Sequence, residues 1–559
     1  MQRKGPHKLQ RHLHRYRQIL TILIAYGFQE VLSIRKRRFA GLKGKSDLSP
    51  EETRRIKNLS RGERLRKVLE ALGPTYIKFG QIMSSRPDIL SPEFIQELEK
   101  LQSSVSPFEG DIALAIIEQE LGKTCKEIFK SFDKEPLASA SIAQVHKGTL
   151  NDGRSVVVKV RRPEIISVVE TDIEIMLNII PVFEKVFLRS ESLNTRKIIE
   201  EFGNVIRREM DFTNEANTIQ RVKENFSGNP DIYVPEVIKS HSTKSILTME
   251  YIDGIPVSNI TALRERGYNC KKLAAVCVQL MAEQIFGNGF FHADPHPGNT
   301  FVLPGHRICF LDFGMMGSLF PGQREYLCNM MIGISTQNIQ KITRGLQNLC
   351  LDANFESREE FEYEIFHIVE TYAPKALQNI NMGILFLELI NLIVSFNLKL
   401  PPNIFVLGKS LVSIEGTARK LYPDLNTVEE MEPFVRKILL SRYDPIRLGK
   451  ETLLSFSELL DLIKESPGNF QDIFSWLKKG KLKLDFDLYG TGKILERGEK
   501  LINRLTFAIM FTSIVTASSL IINARIPPLF HDISIIGIAG LALSLVIGVG
   551  LVFSIFMRK

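Results

Sequence analysis

The arrangement of apolar and polar positions changes character several times along the 559 residues. From Glu127 onward come short runs rich in β-branched residues. Ser141–Gly148 and Ser155–Val160 flank Asn151-Asp152-Gly153, and an Asp-Gly turn between two such runs predicts a hairpin. Thr195 to Glu224 reads as one long helical stretch, and Tyr233–Val237 and Ser245–Tyr251 read as further strands. Near the C-terminus the pattern becomes continuous. Leu505–Ile522 is an uncharged apolar run of 18 residues and Ile533–Met557 one of 25, each long enough for the roughly 30 Å hydrocarbon core of a bilayer. With only a short linker between them, they predict a transmembrane helical hairpin.

Charge refines this picture. The formal net charge is +9, yet residues 1–60 carry 15 Lys and Arg against four Asp and Glu, so the rest of the chain sums to −2. A basic surface spread over the whole protein, as nucleic-acid binding needs, is therefore excluded. The basic residues Arg11, Arg15, Arg17 and Arg35–Arg38 bracket the apolar stretch Ile19–Ile34. That pattern fits an interfacial anchor on anionic lipid, or equally a solvated basic tail leading into a packed helix. Lys493, Arg497, Lys500 and Arg504 precede the apolar hairpin, Arg558 and Lys559 follow it, and Arg525 alone lies in its loop. The positive-inside rule then places both ends, and the bulk of the chain, in the cytoplasm as a multi-pass protein of the cytoplasmic (inner) membrane. Small residues at Ser513/Ala517 and Ser544/Gly548 have the spacing of close helix packing, which permits a homodimer. The six cysteines contain no C-x-x-C pair, which argues against structural zinc or a disulfide framework.

Candidate chemistry lies between residues 137 and 314. Lys159 stands inside Val-Val-Val-Lys-Val, where it needs an anionic partner unless the strand is an edge. Glu215, on the helical stretch that follows, could reach back to it. Glu250 and Tyr251 end a strand just before Ile252-Asp253-Gly254, a place suited to a hinge receiving an adenine ring. Then come His292-Ala293-Asp294-Pro295-His296-Pro297-Gly298-Asn299 and Asp312-Phe313-Gly314. The steps of five residues from Asp294 to Asn299 and thirteen from Asn299 to Asp312 match the catalytic loop and metal-binding segment of protein kinases. In that arrangement Asn299 and Asp312 hold Mg²⁺ or Mn²⁺ on the phosphates of ATP, and Asp294 orients or deprotonates the attacking hydroxyl or water. His292 and His296 have a metal-ligand spacing, but Pro295 and Pro297 forbid the helix that would align them, so a structural loop role is favoured.

Several departures from an ordinary kinase follow. No G-x-G-x-x-G precedes the lysine strand. Its place holds Leu137-Ala138-Ser139-Ala140-Ser141-Ile142-Ala143-Gln144, where alanine and serine restrict the positive-φ geometries available to glycine. This loop, with Val145, Lys159, Glu250 and Tyr251, is the expected nucleotide contact. Ala293 stands where an arginine is usual, and no A-P-E follows Gly314, so a phosphorylation-switched, peptide-docking segment is not expected. Ahead of all this lies Lys78-Phe79-Gly80-Gln81.

With its K-x-G-Q segment, alanine-rich loop, E-x-D motif (Glu209-Met210-Asp211), altered catalytic loop and D-F-G in that order, the chain resembles the UbiB family of atypical kinase-like proteins over about residues 60–420. The resemblance implies that Lys78 and Gln81 fold over the place where a peptide would bind, with Lys78 facing Glu209 and Asp211. It also implies membrane- or lipid-stimulated ATP hydrolysis rather than peptide phosphorylation, in support of ubiquinone or menaquinone synthesis. Anionic membrane lipids, lipid precursors of quinones and the enzymes that process them are the implied partners.

The resulting expectation is an α+β, atypical protein-kinase-like bilobal fold with a helical N-terminal extension and a C-terminal transmembrane hairpin. Its expected parts are a basic amphipathic segment (1–60), a helical extension with K-x-G-Q (61–125), an N-lobe (126–252), a C-lobe (253–425), a helical linker (426–503) and two membrane helices (504–559). Two rival functions are a true kinase acting on a small molecule or protein, which needs an acceptor hydroxyl near Asp294 and displacement of the Lys78 segment, and a nucleotide-binding pseudokinase scaffold. The second is disfavoured because Lys159, Asp294, Asn299 and Asp312 are all present.

Overall fold

The computed structural model describes residues 6–28, 56, 58–101, 105–180, 195–351, 357–372, 381–442, 510–524, 527–530 and 533–556, and does not describe the side chains of 6–11, 439–442, 529–530, 533 and 547–556. The Arg35–Arg38 run, the linker beyond 442, residues 505–509, Arg525 and the basic residues flanking the apolar hairpin lie outside the described residues. The chain divides into two compact units, Met1–Lys450 and Glu451–Lys559.

The first unit begins with α1 (Pro6–Ala25), α2 (Arg61–Leu72), α3 (Pro74–Met83), α4 (Pro92–Leu98) and α5 (Gly110–Leu121). Strands β1 (Phe129–Phe132), β2 (Ala138–Ser139), β3 (Ala143–Leu150) and β4 (Ser155–Arg161) follow, then α6 (Ile165–Asn178), α7 (Thr195–Glu209), α8 (Phe212–Asn225), β5 (Ile232–Tyr233) and β6 (Ile246–Glu250). Four strands run in the order β1-β3-β4-β6, with β2 added on β3. The hairpin between β3 and β4 turns where the Asp-Gly signal placed it: Gly153 takes φ +90°, and the Asp152 carboxylate accepts a hydrogen bond from the Arg154 amide at 3.0 Å.

Alternation along β4 sorts its side chains. Val156, Val158 and Val160 are buried on one face against Ala113 and Ile117 of α5, Phe129 and Ile246. Lys159, between them, projects from the other face.

The C-terminal half of the unit is mostly helical. A four-stranded sheet in the order β5-β10-β9-β7 uses β7 (Ile255–Pro256), β9 (Thr300–Leu303) and β10 (Arg307–Phe310), while β8 (Phe290–His292) pairs with β11 (Met316–Ser318). Helices α9 (Cys270–Ala282), α10 (Pro321–Ser335), α11 (Ile339–Leu349), α12 (Arg358–Tyr372), α13 (Met382–Ser395), α14 (Pro402–Leu421) and α15 (Thr427–Arg442) pack around them in one apolar cluster. All six cysteines are free, and Cys277, Cys309 and Cys328 are buried.

The helical extension has its own core, formed by α1–α4 with α6 and α7. Ile19, Leu20, Leu23 and Phe28 are buried there beside Leu65, Phe79, Phe94, Val169 and Phe202. The apolar face of α1 is thus packed inside protein, as a buried helix rather than an interfacial one. Arg15 fastens it. Its guanidinium donates to both carboxylate oxygens of the fully buried Asp172 at 2.7 and 3.0 Å and to the carbonyl of Leu72 at 2.7 Å. Replacing Arg15 by Ala strands a buried carboxylate, and roughly 3 kcal/mol of stability should be lost in denaturant unfolding.

Two expectations need correction. The stretch 195–224 is two helices, because Asp211 leaves helical geometry (φ −101°, ψ 99°) and caps α8 by accepting from the Thr213 amide at 3.1 Å. This local side-chain bond competes with helix continuation.

The second correction concerns the C-terminal hairpin. Among the described residues no helix is long and apolar enough to cross a membrane, so the expected transmembrane hairpin and multi-pass topology are not supported. The first run is helical over its described residues 510–523, here α16. It is followed by a small β-hairpin of β12 (Leu529–Phe530) and β13 (Ile533–Ser534), then by α17 (Ile535–Phe556). Close packing here needs glycine: a Cβ on Gly540 would come 2.1 Å from the Ser518 hydroxyl, and one on Gly537 would come 2.4 Å from Ile522.

Candidate functional site: a lysine–carboxylate centre under a helical cover

The centre is assembled by β4, α8 and the loop after β10. In register with Val145 of β3 and Leu247 of β6, Lys159 lies on an interior strand. Its ammonium donates to both carboxylate oxygens of Glu215, at 2.8 and 3.0 Å, and lies 3.8 Å from Oδ1 of Asp312. Burial would lower the Lys159 pKa, but Glu215 and Asp312 more than offset it and hold the ammonium above its ordinary value. The Asp312 carboxylate is opposed by burial yet sits at about 2, drawn down by Lys159, the Gly314 amide and Lys78.

Asn299 and Asp312 are neighbours because β9 and β10 pair antiparallel, Thr300 opposite Phe310. One step beyond that pair, the Leu311 amide donates to the Asn299 carbonyl at 3.0 Å.

Asp294 is held half-buried by the loop that starts at β8. Its amide donates to Nδ1 of His292 at 3.2 Å, while His292 Nε2 meets the Asp312 carbonyl. The His292 amide donates to the Gln284 side chain at 2.7 Å, and the Ser410 hydroxyl donates to its carbonyl. One buried imidazole therefore ties the Asp294 loop to the Asp312 segment. Burial pushes its pKa down, against the nearby Asp312 and Asp294. The unfolded chain then takes up this proton first, so stability contributed by His292 is lost as pH falls below about 6.5. Thermal unfolding should show a decline in Tm as pH falls below about 6.5 that is smaller in His292→Asn. No group of three or more metal-ligating side chains occurs among the described residues, and the Nδ1 of exposed His296 accepts from the Gly298 amide at 2.8 Å.

The small-residue loop is a tight turn. Ala138 and Ser139 pair with Val145 and Gln144, and the Ala140 amide donates to the Ala143 carbonyl at 2.8 Å. None of its residues takes a positive φ, so it has no conformational need of glycine. Ser141, Ile142 and Ala143 are buried, Ile142 within the core of the helical extension.

The turn is braced by Arg162, which sequence reasoning did not single out. This guanidinium donates to the Ala140 carbonyl at 2.9 Å, the Ser139 hydroxyl at 2.6 Å and the Ser106 carbonyl at 3.0 Å. The only sequence signal was its position just past the lysine strand. Arg162→Ala should loosen the loop and raise the nucleotide concentration needed for half-saturation several-fold, a shift measurable by fluorescent-nucleotide titration.

At the other end of β6, Glu250 accepts from the Tyr233 hydroxyl at 2.8 and 2.9 Å, and burial together with Glu250 pushes this phenol up to about 12. The Tyr251 amide donates to the Ser155 carbonyl at 3.0 Å, and Lys147 lies 3.9 Å over its ring.

Above the centre lies α3. Lys78, buried, pairs with Glu209 at the end of α7, and its ammonium is 3.8 Å from the Met315 sulfur. Asp211 does not share in this pair, because its carboxylate caps α8. Gln81 donates to the Leu101 carbonyl at 3.2 Å. Gly80 is required by packing, since a Cβ there would stand 2.4 Å from Leu101 and 2.7 Å from Leu69.

Three family models match the chain: an ABC1 atypical kinase-like domain over residues 100–346, a UbiB helical domain over 365–426 and an ABC1/UbiB kinase-like C-terminal domain over 490–557. An uncharacterized protein in the hydrogenase 1 5′ region of Clostridium pasteurianum is 31% identical over 97% of this chain and 98% of its own length. Proteins described as probable protein kinase UbiB are 35% identical in Marinobacter nauticus, over 73% of this chain and 76% of theirs, and 36% identical in Aliivibrio fischeri, over 79% and 81%.

Proposed function

We propose that this chain, which belongs to the UbiB family of atypical kinase-like proteins, binds ATP with Mg²⁺ or Mn²⁺ and hydrolyses it in support of isoprenoid quinone biosynthesis. The observation that carries the nucleotide reading is the Lys159 ammonium, held by both oxygens of Glu215 and 3.8 Å from Asp312. A kinase-type site needs this lysine–helix carboxylate pair beside a metal-binding aspartate.

Asn299 and Asp312 fit a divalent ion. One amide and one carboxylate oxygen are hard donors, and two protein ligands leave the remaining positions to phosphates and water, as Mg²⁺ prefers. When bound, the ion would neutralise charge on the bridged phosphate oxygens. The protein's own groups do the rest. Lys159 holds phosphate oxygens, the turn 138–143 lines the nucleotide, His292 keeps the Asp294 loop against the Asp312 segment, and Asp294 orients the attacking oxygen.

Hydrolysis is preferred over peptide phosphorylation because α3, pinned through Lys78 to Glu209, also reaches Met315, next to the Asp312-Phe313-Gly314 segment. Release of inorganic phosphate without any phosphorylated protein or small molecule by mass spectrometry would support the hydrolase. A stoichiometric phosphorylated product would favour the kinase reading instead.

Association with the cytoplasmic face of an anionic membrane is assigned to the basic charge of residues 1–60, since the apolar face of α1 is already buried. Phosphate release should therefore rise with anionic vesicles and rise less at 1 M salt, where the Debye length is about 3 Å. Quinone precursors and the enzymes that consume them are the partners this role requires.

A further inference from the structure

Beneath the C-terminal end of α3 lies a cavity of about 630 Å³, walled by α7 and α8 and by the segment from Phe313 to Met316. Its volume suits one small molecule. Its lining includes Glu215, the partner of Lys159, so it adjoins the nucleotide centre.

Its lining is of two kinds. Part is apolar and soft, formed by the thioethers of Met83, Met315 and Met316 with Phe202 and Phe290. Unbranched, polarizable methionine side chains adapt to varied apolar shapes. Val205 of α7 opens onto the same space with 42% of its surface exposed, an uncovered branched side chain at the mouth.

The rest of the lining includes cations. Arg208 of α7 and Arg221 of α8 both line the cavity, and neither forms an ion pair among the described residues. Arg221 lies over the Phe290 ring at 3.9 Å. The other charges are mostly committed. Arg86 pairs with Asp88 at 2.7 Å, Glu209 with Lys78, and Glu215 with Lys159 at 2.8 Å, leaving Glu201 as the remaining carboxylate against two guanidinium groups. Excess positive charge in a largely apolar lining selects a molecule with an anionic head and an apolar chain. Guanidinium donors engage phosphate or carboxylate oxygens bidentately.

We propose that this cavity binds a single-chain amphiphile, its phosphate or carboxylate head between Arg208 and Arg221 and its apolar chain over Met83, Met315 and Met316. Met315 also touches the Lys78 ammonium, so the occupied cavity abuts the contact that holds α3 in place. The site stands whether or not ATP is hydrolysed at the neighbouring centre.

The test is calorimetric titration of the full chain with dodecyl phosphate below its critical micelle concentration. One equivalent should bind. The double variant Arg208→Gln/Arg221→Gln should weaken binding at least tenfold, and Val205→Trp, which fills the apolar mouth, should do the same. Inorganic phosphate and dodecyl maltoside should each bind at least tenfold more weakly than dodecyl phosphate, and ATP affinity should be equal in all variants. Unchanged dodecyl phosphate binding in both variants would overturn the proposal. So would equal binding of inorganic phosphate, which marks a simple anion site, or of dodecyl maltoside, which marks an apolar pocket without head recognition. Sedimentation with anionic vesicles separates the sources of the head. If the arginine variants lose vesicle capture while monomeric dodecyl phosphate binds neither parent nor variant, the arginines read a bilayer surface and the cavity assignment fails.

Discussion

Replacing Lys159 by Met is expected to destabilise the protein by about 3–5 kcal/mol and to abolish measurable hydrolysis, because it strands Glu215 in the interior with Asp312 nearby. Burial and Asp312 already push the Glu215 pKa up, and the Lys159 ammonium opposes them from 2.8 Å. Without that ammonium the carboxylate must either take a proton or remain charged in a poorly solvated site. Glu215→Gln should be destabilising as well, since it leaves the lysine buried against a neutral partner. The double variant should cost less than the sum of the two, as residues acting as one unit do. Denaturant unfolding of the four proteins checks this, and strictly additive losses would mean that the pair contributes nothing as a pair.

The second large effect is expected at Asp312. Asp312→Asn keeps the shape of the side chain but removes the anion, so metal-dependent ATP binding should fall more than about tenfold and phosphate release by roughly 10²–10³, the usual cost of losing one preorganised electrostatic group. Nucleotide titration with and without Mg²⁺ checks the first, and a phosphate-release assay the second.

The native carboxylate also has a pH signature. Its pKa of about 2 is depressed relative to the unfolded chain, so its contribution to stability is present above about pH 4 and lost as pH falls through 2. The acid limb of the stability curve should therefore shorten in Asp312→Asn. The His292 contribution is lost at a higher pH, starting below about 6.5, so the two groups can be separated in one pH series.

Much of the site was legible in residue spacing. The Asp294–Asn299–Asp312 order, the Asp152-Gly153 hairpin and the alternation that turns Lys159 away from Val158 and Val160 are local properties. A turn and a pleat depend on nearest neighbours in the chain. Reading the stretch 195–224 as one helix failed because apolar periodicity does not register a single aspartate that leaves helical geometry to cap the next segment. Reading the C-terminal runs as membrane spans rests on hydropathy alone, and among the described residues no helix is long and apolar enough to cross a membrane.

By itself, then, the sequence determined the β3–β4 hairpin, the burial alternation of the lysine strand, the order of the catalytic-type residues and the uneven distribution of charge. These follow from backbone stereochemistry, side-chain period and composition, which act over a few residues. Only the tertiary structure decided that Lys78 meets Glu209 across 131 positions while Asp211 serves as a cap, that Arg162 braces the turn at Ala140, that the apolar face of α1 is consumed by the core of the extension, and that Arg208 and Arg221 converge on one cavity. These partners are distant in sequence. Which of several available carboxylates a buried cation reaches depends on how whole helices pack, because the desolvation cost is repaid only where the geometry of the completed core brings the charges together.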